Sequence, residues 1–340
     1  MDMRTLMAWR ATNRSNYADA CTELRDSLKD LLAAFVPNPA ALLSLLTNTR
    51  ALISGELAIC YLLQEPSFVP QSLDIYVGSI WYDGFVDSFG LSREISGFQL
   101  TWTTNNHVAE YVETRGVTES LEITLSNGKT VIIHAAASPF ACHAIACSPS
   151  SLGTTFVTEF SFATAYPRLT FHRRAIICRN LLAEGIPSEQ DMYARLEANG
   201  FSFEDNPAAW PEYSGERYSS VDHALLPCLR SLYLCPQQGR YFGDDGSMVC
   251  FMDTLSVDVT SLKDQCIPPY GVMAVWRLQS TMICGSQCDE FDDILAPGVF
   301  ATSIMFKEES FRSTTLPSSM IVGCTTARGG YRVRARSLTL

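Results

Sequence analysis

The sequence predicts an α+β protein in which a mixed sheet carries flanking helices. Residues 17–35 place leucines at helical spacing between charged residues, which is typical of an amphipathic helix. Residues 73–77 alternate apolar and polar side chains, as a half-buried strand does. Residues 121–125 and 129–134 are strand-like runs on either side of Asn127-Gly128, a dipeptide that favours a tight hairpin.

The other elements follow these three signals along the chain. A short apolar run at residues 51–53 stops at Ser54-Gly55, which predicts a strand and a turn. Residues 206–220 are rich in Pro, Gly, Ser and acidic residues and predict a linker or long loop, and only short strands, such as residues 271–278, are expected beyond it. The remaining predicted elements are helices at 40–46, 56–63, 80–89, 139–147, 170–182 and 188–199, and strands at 98–103 and 109–113.

The length and the composition fit a globular chain of about two domains. The chain has 340 residues, of which 47% are hydrophobic and 18% charged, so a mainly disordered protein is excluded. We expect an N-terminal helical segment at residues 1–47, a central domain at 48–205, and a cysteine-containing region of short strands and loops at 206–340. The formal net charge of −11 repels a phosphate backbone, so broad nucleic-acid binding is not expected.

The cysteines and the apolar segments favour an intracellular protein, cytoplasmic or nuclear. Several of the 12 cysteines stand in apolar runs, where a free thiol behaves as a small buried hydrophobe in a reducing compartment. Residues 1–10 show no apolar core of a signal peptide. The longest apolar stretch, residues 40–63, is interrupted by Arg50 and Glu56, so a membrane span is not expected and the chain is predicted to be soluble.

The order of the elements between residues 50 and 135 resembles the nucleotidyltransferase fold. More closely, the chain resembles a large family of uncharacterised fungal proteins with that fold, over roughly residues 45 to 255. The segments that carry this resemblance are ALISG at 51–55, SLDIYV at 72–77, residues 131–139, AYP at 165–167, Tyr193, NGF at 199–201, His223, Cys228 and Cys235-Pro236.

The resemblance implies where a nucleotide and metal ions would bind. Ser54 and Gly55 correspond to the turn before the helix behind the triphosphate, where a glycine lets backbone amides approach phosphate. The following strand would carry two carboxylates in an Asp-x-Asp pattern, which a strand aims at one point because alternate residues share a face. These positions are Ser72 and Asp74, and a later strand would add a third near residues 132–134. Such carboxylates hold Mg²⁺ against nucleotide phosphates.

Three departures from this pattern predict a degenerate site. Glu56 follows the glycine, and a carboxylate at a helix N-terminus would occupy the anion site itself. Ser72 replaces the first aspartate, and a hydroxyl does not compensate a divalent ion as a carboxylate does. Residues 132–134 contain no acid, and His134 is a softer ligand than Mg²⁺ prefers. Asp74 therefore remains as the one certain carboxylate, with Glu122 on the neighbouring hairpin strand.

Three functions remain open at this level. The leading expectation is a non-catalytic binding or scaffold module, without a required cofactor and with at most a vestigial nucleotide pocket. The second is an active Mg²⁺-dependent nucleotidyltransferase that uses Asp74 with Glu56 or Glu122, and with Ser72 bound through water. The third is a purely structural protein whose cleft is filled by its own side chains. A protein partner or a nucleotide is a candidate ligand under the first two.

A second candidate metal site lies in the C-terminal region. His223, Cys228, Cys235 and Cys250 have the donor atoms of a structural zinc site. Their spacing does not match a standard finger, because it lacks two tight cysteine pairs. The competing interpretation is a set of buried thiols and a surface histidine.

Overall fold

The structure is a computed structural model. It describes residues 3–65, 67–91, 95, 101–104, 116–125, 127–178, 187–214, 229–236, 238–252, 273–278 and 302–304. Eight α-helices and thirteen strands lie among these residues, which confirms the α+β class. None of the described helices combines the length and the apolar character that crossing a membrane requires.

Three helices precede the sheet: α1 (Met3–Arg10), α2 (Arg14–Leu32) and α3 (Pro39–Thr49). The predicted helix at 17–35 is confirmed as α2 with shifted ends. It begins earlier because Oδ1 of Asn13 accepts a hydrogen bond from the Asn16 amide at 2.9 Å, which is an N-cap. Side chains of all three helices join the main hydrophobic cluster, so the segment at 1–47 packs against the same core as the sheet.

The strands in chain order are β1 (Leu52–Ser54), β2 (Ser72–Val77), β3 (Thr101–Thr104), β4 (Val117–Thr124), β5 (Thr130–Ala136), β6 (Thr155–Val157), β7 (Ser161–Thr164), β8 (Arg174–Ile176), β9 (Ser202–Glu204), β10 (Arg240–Tyr241), β11 (Met248–Phe251), β12 (Met273–Trp276) and β13 (Thr302–Ile304). Eight of them form one sheet in the order β11-β7-β6-β1-β2-β5-β4-β3. Only the pair β2–β5 is parallel within this sheet as described. The predicted hairpin is confirmed as β4–β5.

The side chains of strand β2 alternate between an apolar face and a polar face of the sheet. Its inward residues Leu73, Ile75 and Val77 are fully buried in the main hydrophobic cluster, together with apolar side chains of α1–α3. The alternate residues Ser72, Asp74 and Tyr76 stand on the other face. The helices α4 (Gly55–Leu63), α5 (Tyr82–Leu91) and α6 (Ala141–Ala146) lie close to their predicted positions.

The predicted helix at 170–182 is wrong. The chain forms α7 (Pro167–Thr170), turns at Arg173 with a φ of 54°, and then enters β8, which pairs in parallel with β9. A residue with left-handed backbone ends a helix. The apolar residues after Arg174 pair with β9, and no local sequence pattern indicates this pairing. The next predicted helix is confirmed as α8 (Pro187–Ala198). Residues 179–186 lie outside the described residues.

The chain after residue 205 contributes to two sheets. Strand β11 pairs with β7 and so extends the large sheet, whereas β10, β12 and β13 form a separate three-stranded sheet. The predicted strand at 271–278 is confirmed as β12. Residues 206–214 of the predicted linker pack instead against a second hydrophobic cluster, because Trp210 and Tyr213 are buried there. The rest of that predicted linker lies outside the described residues.

Candidate functional site

Asp74 lies beside the turn that the sequence assigns to phosphate binding. It pairs with Ser54 across the antiparallel strands β1 and β2. Gly55 follows with a φ of 68°, and a Cβ atom added to it would lie 2.5 Å from Oδ2 of Asp74. Only glycine fits this approach without strain. The structure therefore brings Ser54, Gly55 and Asp74 together, as the sequence predicts.

Asp74 belongs to a chain of polar groups on the face of three strands. The Ser72 hydroxyl donates a hydrogen bond to Oδ2 of Asp74 at 2.8 Å. On β5, Nε2 of His134 lies 3.6 Å from Oδ1 of Asp74, which is ion-pair distance when the imidazole is protonated. Nδ1 of His134 lies 2.7 Å from the Ser120 hydroxyl on β4. The Tyr76 ring stacks on the imidazole with centroids 4.5 Å apart and so fixes its plane.

The hydroxyl of Ser54 is engaged inside the fold. It donates hydrogen bonds to the carbonyl oxygen of Thr155 at 2.6 Å and to that of Gly153 at 3.3 Å. It makes no side-chain cap on α4. Ser54 thus joins the end of β1 to the start of β6, and its hydroxyl has a structural role at the position predicted for nucleotide binding.

The side chain of Glu56 is directed to partners that the sequence analysis did not anticipate. Glu56 is 0% exposed. Its Oε2 accepts hydrogen bonds from the backbone amides of Gln71 at 2.8 Å and Ser72 at 3.3 Å. Its Oε1 accepts a hydrogen bond from Nε of Arg195 on α8 at 2.6 Å. Among the described residues, these donors lie at the start of β2 and on α8. The sequence analysis expected the Glu56 carboxylate to occupy the anion site at the N-terminus of α4, and the structure directs it to these donors instead.

Arg195 is a residue that the sequence analysis missed. The signal was present in the sequence of α4, where Glu56 stands in a run of apolar residues. A carboxylate buried with such a helix requires a cation or several amide donors, because an isolated buried charge is very costly. The pattern could not name the partner, since Arg195 is far along the chain and only the packing of α8 brings it near.

Residues 132–134, where a third carboxylate is expected, contain no acid, and Ile132 stands directly beside Asp74. Ile132 on β5 pairs with Asp74 on one side and with Glu122 of β4 on the other. Neighbouring strands lie about 4.8 Å apart, so the backbones of Asp74 and Glu122 are separated by roughly 10 Å, with Ile132 between them. Within the described part of the chain, no group of three or more His, Cys, Asp or Glu residues is placed to hold a metal ion.

The proposed zinc ligands are described only in part. His223 and Cys228 lie outside the described residues. Cys235 is buried two residues after the turn at Tyr233, whereas Cys250 is half-buried on β11, opposite Phe162 of β7. Burial raises the pKa of the Cys250 thiol. The four-ligand set therefore stays a prediction.

Comparisons with protein-family models, with curated proteins and with solved structures find no match to this chain. The chemistry of the site accordingly rests on its own geometry. Asp74 supplies one carboxylate, His134 an imidazole, and Ser72 and Ser120 two hydroxyl groups. Such a set can accept and donate hydrogen bonds on one sheet face. It offers a divalent cation much less charge than three carboxylates would.

Proposed function

We propose that this chain is a nucleotidyltransferase-like protein that has no catalytic activity and works as a binding or scaffold module. The observation that carries the proposal is the row of paired residues Asp74, Ile132 and Glu122 across β2, β5 and β4. Where the resemblance implies a second carboxylate, the Ser72 hydroxyl instead donates to the remaining one. Across residues 132–134, where it implies a third, Ile132 stands beside Asp74 and His134 supplies an imidazole, so no carboxylate is present.

The arrangement of the strands supports the nucleotidyltransferase-like part of the proposal. The turn at Ser54-Gly55 ends β1 and begins α4, directly beside Asp74 on β2. The later strand β5 runs parallel to β2 and would be the source of the third ligand. The order of β1, the turn, α4, β2 and the later strand β5 is the order that the resemblance implies.

The contacts of Glu56 favour the non-catalytic alternative over an active transferase. A Mg²⁺ site built from Asp74 and Glu56 would require Glu56 to leave Arg195 and two backbone amides. Each of these bonds to a charged acceptor contributes about 1.5–3 kcal/mol. A site built from Asp74 and Glu122 would have to span the intervening Ile132. A nucleotide, if bound, would therefore be held without a catalytic metal ion.

A thermal-shift titration that restores the missing carboxylates tests this proposal. Wild type, Asp74→Ala and the double variant S72D/I132D are melted with ATP, GTP, CTP and UTP, each with and without Mg²⁺ or Mn²⁺. We expect no metal-dependent shift for wild type and a shift of a few degrees for S72D/I132D. A ligand present at a hundred times its Kd stabilises the folded state by about 2.7 kcal/mol. The matched control, S15D/T22D, adds the same charge to exposed positions of α2.

Each outcome separates the alternatives. A metal-dependent shift of wild type that is lost in Asp74→Ala would contradict the proposal and support the active transferase. A nucleotide shift of wild type without metal dependence would support a binding module, and no shift would support a scaffold. No metal-dependent gain in S72D/I132D would contradict the placement of the three ligand positions, and with it the nucleotidyltransferase-like site.

A further inference from the structure

Three arginines from three separate elements lie in one region of the surface. Arg4 stacks on Phe171, which stands between Arg168 and Arg174 in the chain, and Arg174 lies over Trp210, the ring beside Tyr213. Arg4 lies on α1, Arg168 on α7 and Arg174 at the start of β8. Burial raises the pKa of Tyr213, the negative charge of Glu212 adds to this effect, and the positive charges of the three arginines oppose it. We refer to Arg4, Arg168 and Arg174 as the arginine cluster.

Aromatic rings support two of the guanidinium groups. The guanidinium carbon of Arg4 lies 4.7 Å from the centre of the Phe171 ring, and that of Arg174 lies 5.8 Å from the Trp210 ring. Trp210 in turn packs edge-on against Tyr213, with centroids 6.2 Å apart. A guanidinium that stacks on a ring face keeps the N–H donors at its edge available to an anion.

The arginine cluster has more positive than negative charge. Glu212 accepts a hydrogen bond from Nε of Arg174 at 3.0 Å, and both side chains are partly exposed. Within the part of the chain that the structure describes, Arg4 and Arg168 form no ion pair, and both are exposed. This local excess is unusual on a chain whose formal net charge is −11.

We propose that the arginine cluster binds a phosphorylated serine or threonine side chain of a partner protein. A phosphate monoester carries a charge of about −1.5 to −2 and three acceptor oxygens, which match the fork of N–H donors that each arginine presents. Because Arg4 and Arg168 are exposed, the site is open to a group presented on the surface of another protein.

The overall charge argues against a nucleic acid as the occupant. Electrostatic interactions at physiological ionic strength are screened over about 8 Å, so a single phosphate group responds mainly to the arginine cluster. A long polyanion would also meet the acidic remainder of the surface. The proposal does not depend on the proposed function, because the arginine cluster shares no residue with the site around Asp74.

Fluorescence anisotropy with a labelled phosphopeptide pool tests the proposal. The probe has a central phosphoserine or phosphothreonine between randomised uncharged residues, and the same pool without phosphate is the first control. We expect wild type to bind the phosphorylated pool and R4Q/R168Q to bind it at least about tenfold more weakly, since each charge-assisted bond is lost. The matched variant R14Q removes one exposed arginine of α2 outside the arginine cluster and should bind as wild type does.

Two results would overturn the proposal. One is equal affinity for the phosphorylated and unphosphorylated pools. The other is wild-type affinity in R4Q/R168Q. A labelled 20-nucleotide single strand is measured in parallel. If wild type binds this strand more tightly than R4Q/R168Q does, and does not bind the phosphopeptide pool, the occupant is a nucleic acid. If R4Q/R168Q melts below wild type, a competition experiment takes the place of the comparison with this variant. Free O-phospho-L-serine is added to wild type with the phosphopeptide pool bound. Displacement of the pool supports the proposal, and no displacement contradicts it.

Discussion

Glu56 and Asp74 are two carboxylates of the same predicted site with different surroundings. Glu56 is fully buried and accepts hydrogen bonds from an arginine and two backbone amides. Asp74 is 9% exposed and accepts one hydrogen bond from Ser72, with His134 at 3.6 Å. The Glu56 carboxylate therefore connects α4, β2 and α8. The Asp74 carboxylate could accept more hydrogen bonds than the described residues donate to it.

The difference separates a carboxylate that holds elements of the fold together from one that lies on the polar face of β2. The groups that hold the elements together are Glu56 and the apolar face of β2, and neither depends on a bound metal ion. On the polar face of β2, Tyr76 packs against the second hydrophobic cluster, whereas Ser72 and Asp74 bond to each other. Under the proposed function, Ser72 and Ile132 stand where an active transferase would have carboxylates, and neither residue belongs to the main hydrophobic cluster.

The largest expected effect is that of Glu56→Ala on stability. The substitution leaves the Arg195 guanidinium and the amides of Gln71 and Ser72 without an acceptor. We expect the free energy of unfolding to fall by about 3 kcal/mol or more, with part of the Arg195 contribution offset by water because that side chain is one-third exposed. Urea denaturation followed by tryptophan fluorescence measures the loss.

The control for this prediction is Glu23→Ala, which removes an exposed glutamate of α2. It should change the free energy of unfolding by less than about 0.5 kcal/mol. If Glu56→Ala were as mild as the control, Glu56 would not hold β2 and α8 together, and the contrast with Asp74 would be lost.

A smaller effect is expected for Gly55→Ala, which tests how closely Asp74 approaches the turn. An alanine at a φ of 68° is strained, and its Cβ would lie 2.5 Å from Oδ2 of Asp74. We expect a loss of about 2 kcal/mol in the free energy of unfolding. In the background of Asp74→Ala the same substitution should cost about 1 kcal/mol less, because the clashing oxygen is gone. Strict additivity in this double-mutant cycle would show that the two residues do not touch.

The smallest effect is expected for Asp74→Asn. The amide keeps an oxygen that can accept the Ser72 hydrogen bond and removes one charge from a partly solvated position. We expect the free energy of unfolding to change by less than about 1 kcal/mol, measured by the same urea denaturation. A loss equal to that of Glu56→Ala would mean that Asp74 is a structural carboxylate as well, and the distinction between the two would no longer hold.

Elements with a strong local signal were predictable from the sequence. The alternation in β2 and the Asn-Gly hairpin fixed the centre of the sheet, and the apolar spacing identified α2 and α4. Strands β6, β7 and β11 gave no such signal, because each has only three or four residues and is stabilised by its sheet neighbours. The helix prediction at 170–182 was wrong for the same reason, since strand β8 is stabilised by pairing with β9.

Within the candidate site, the sequence determined which residue types are present and which strands carry them. It showed one aspartate on β2, a serine two residues earlier and no acid at 132–134, and these facts do not depend on packing. Only the tertiary structure decided how the side chains are used. Glu56 meets Arg195, Asp74 lies beside His134, and Arg4 of α1 stacks on Phe171, and each of these contacts joins residues far apart in the chain. Local patterns report the periodicity of one element, whereas the partner of a buried charge depends on how the elements pack.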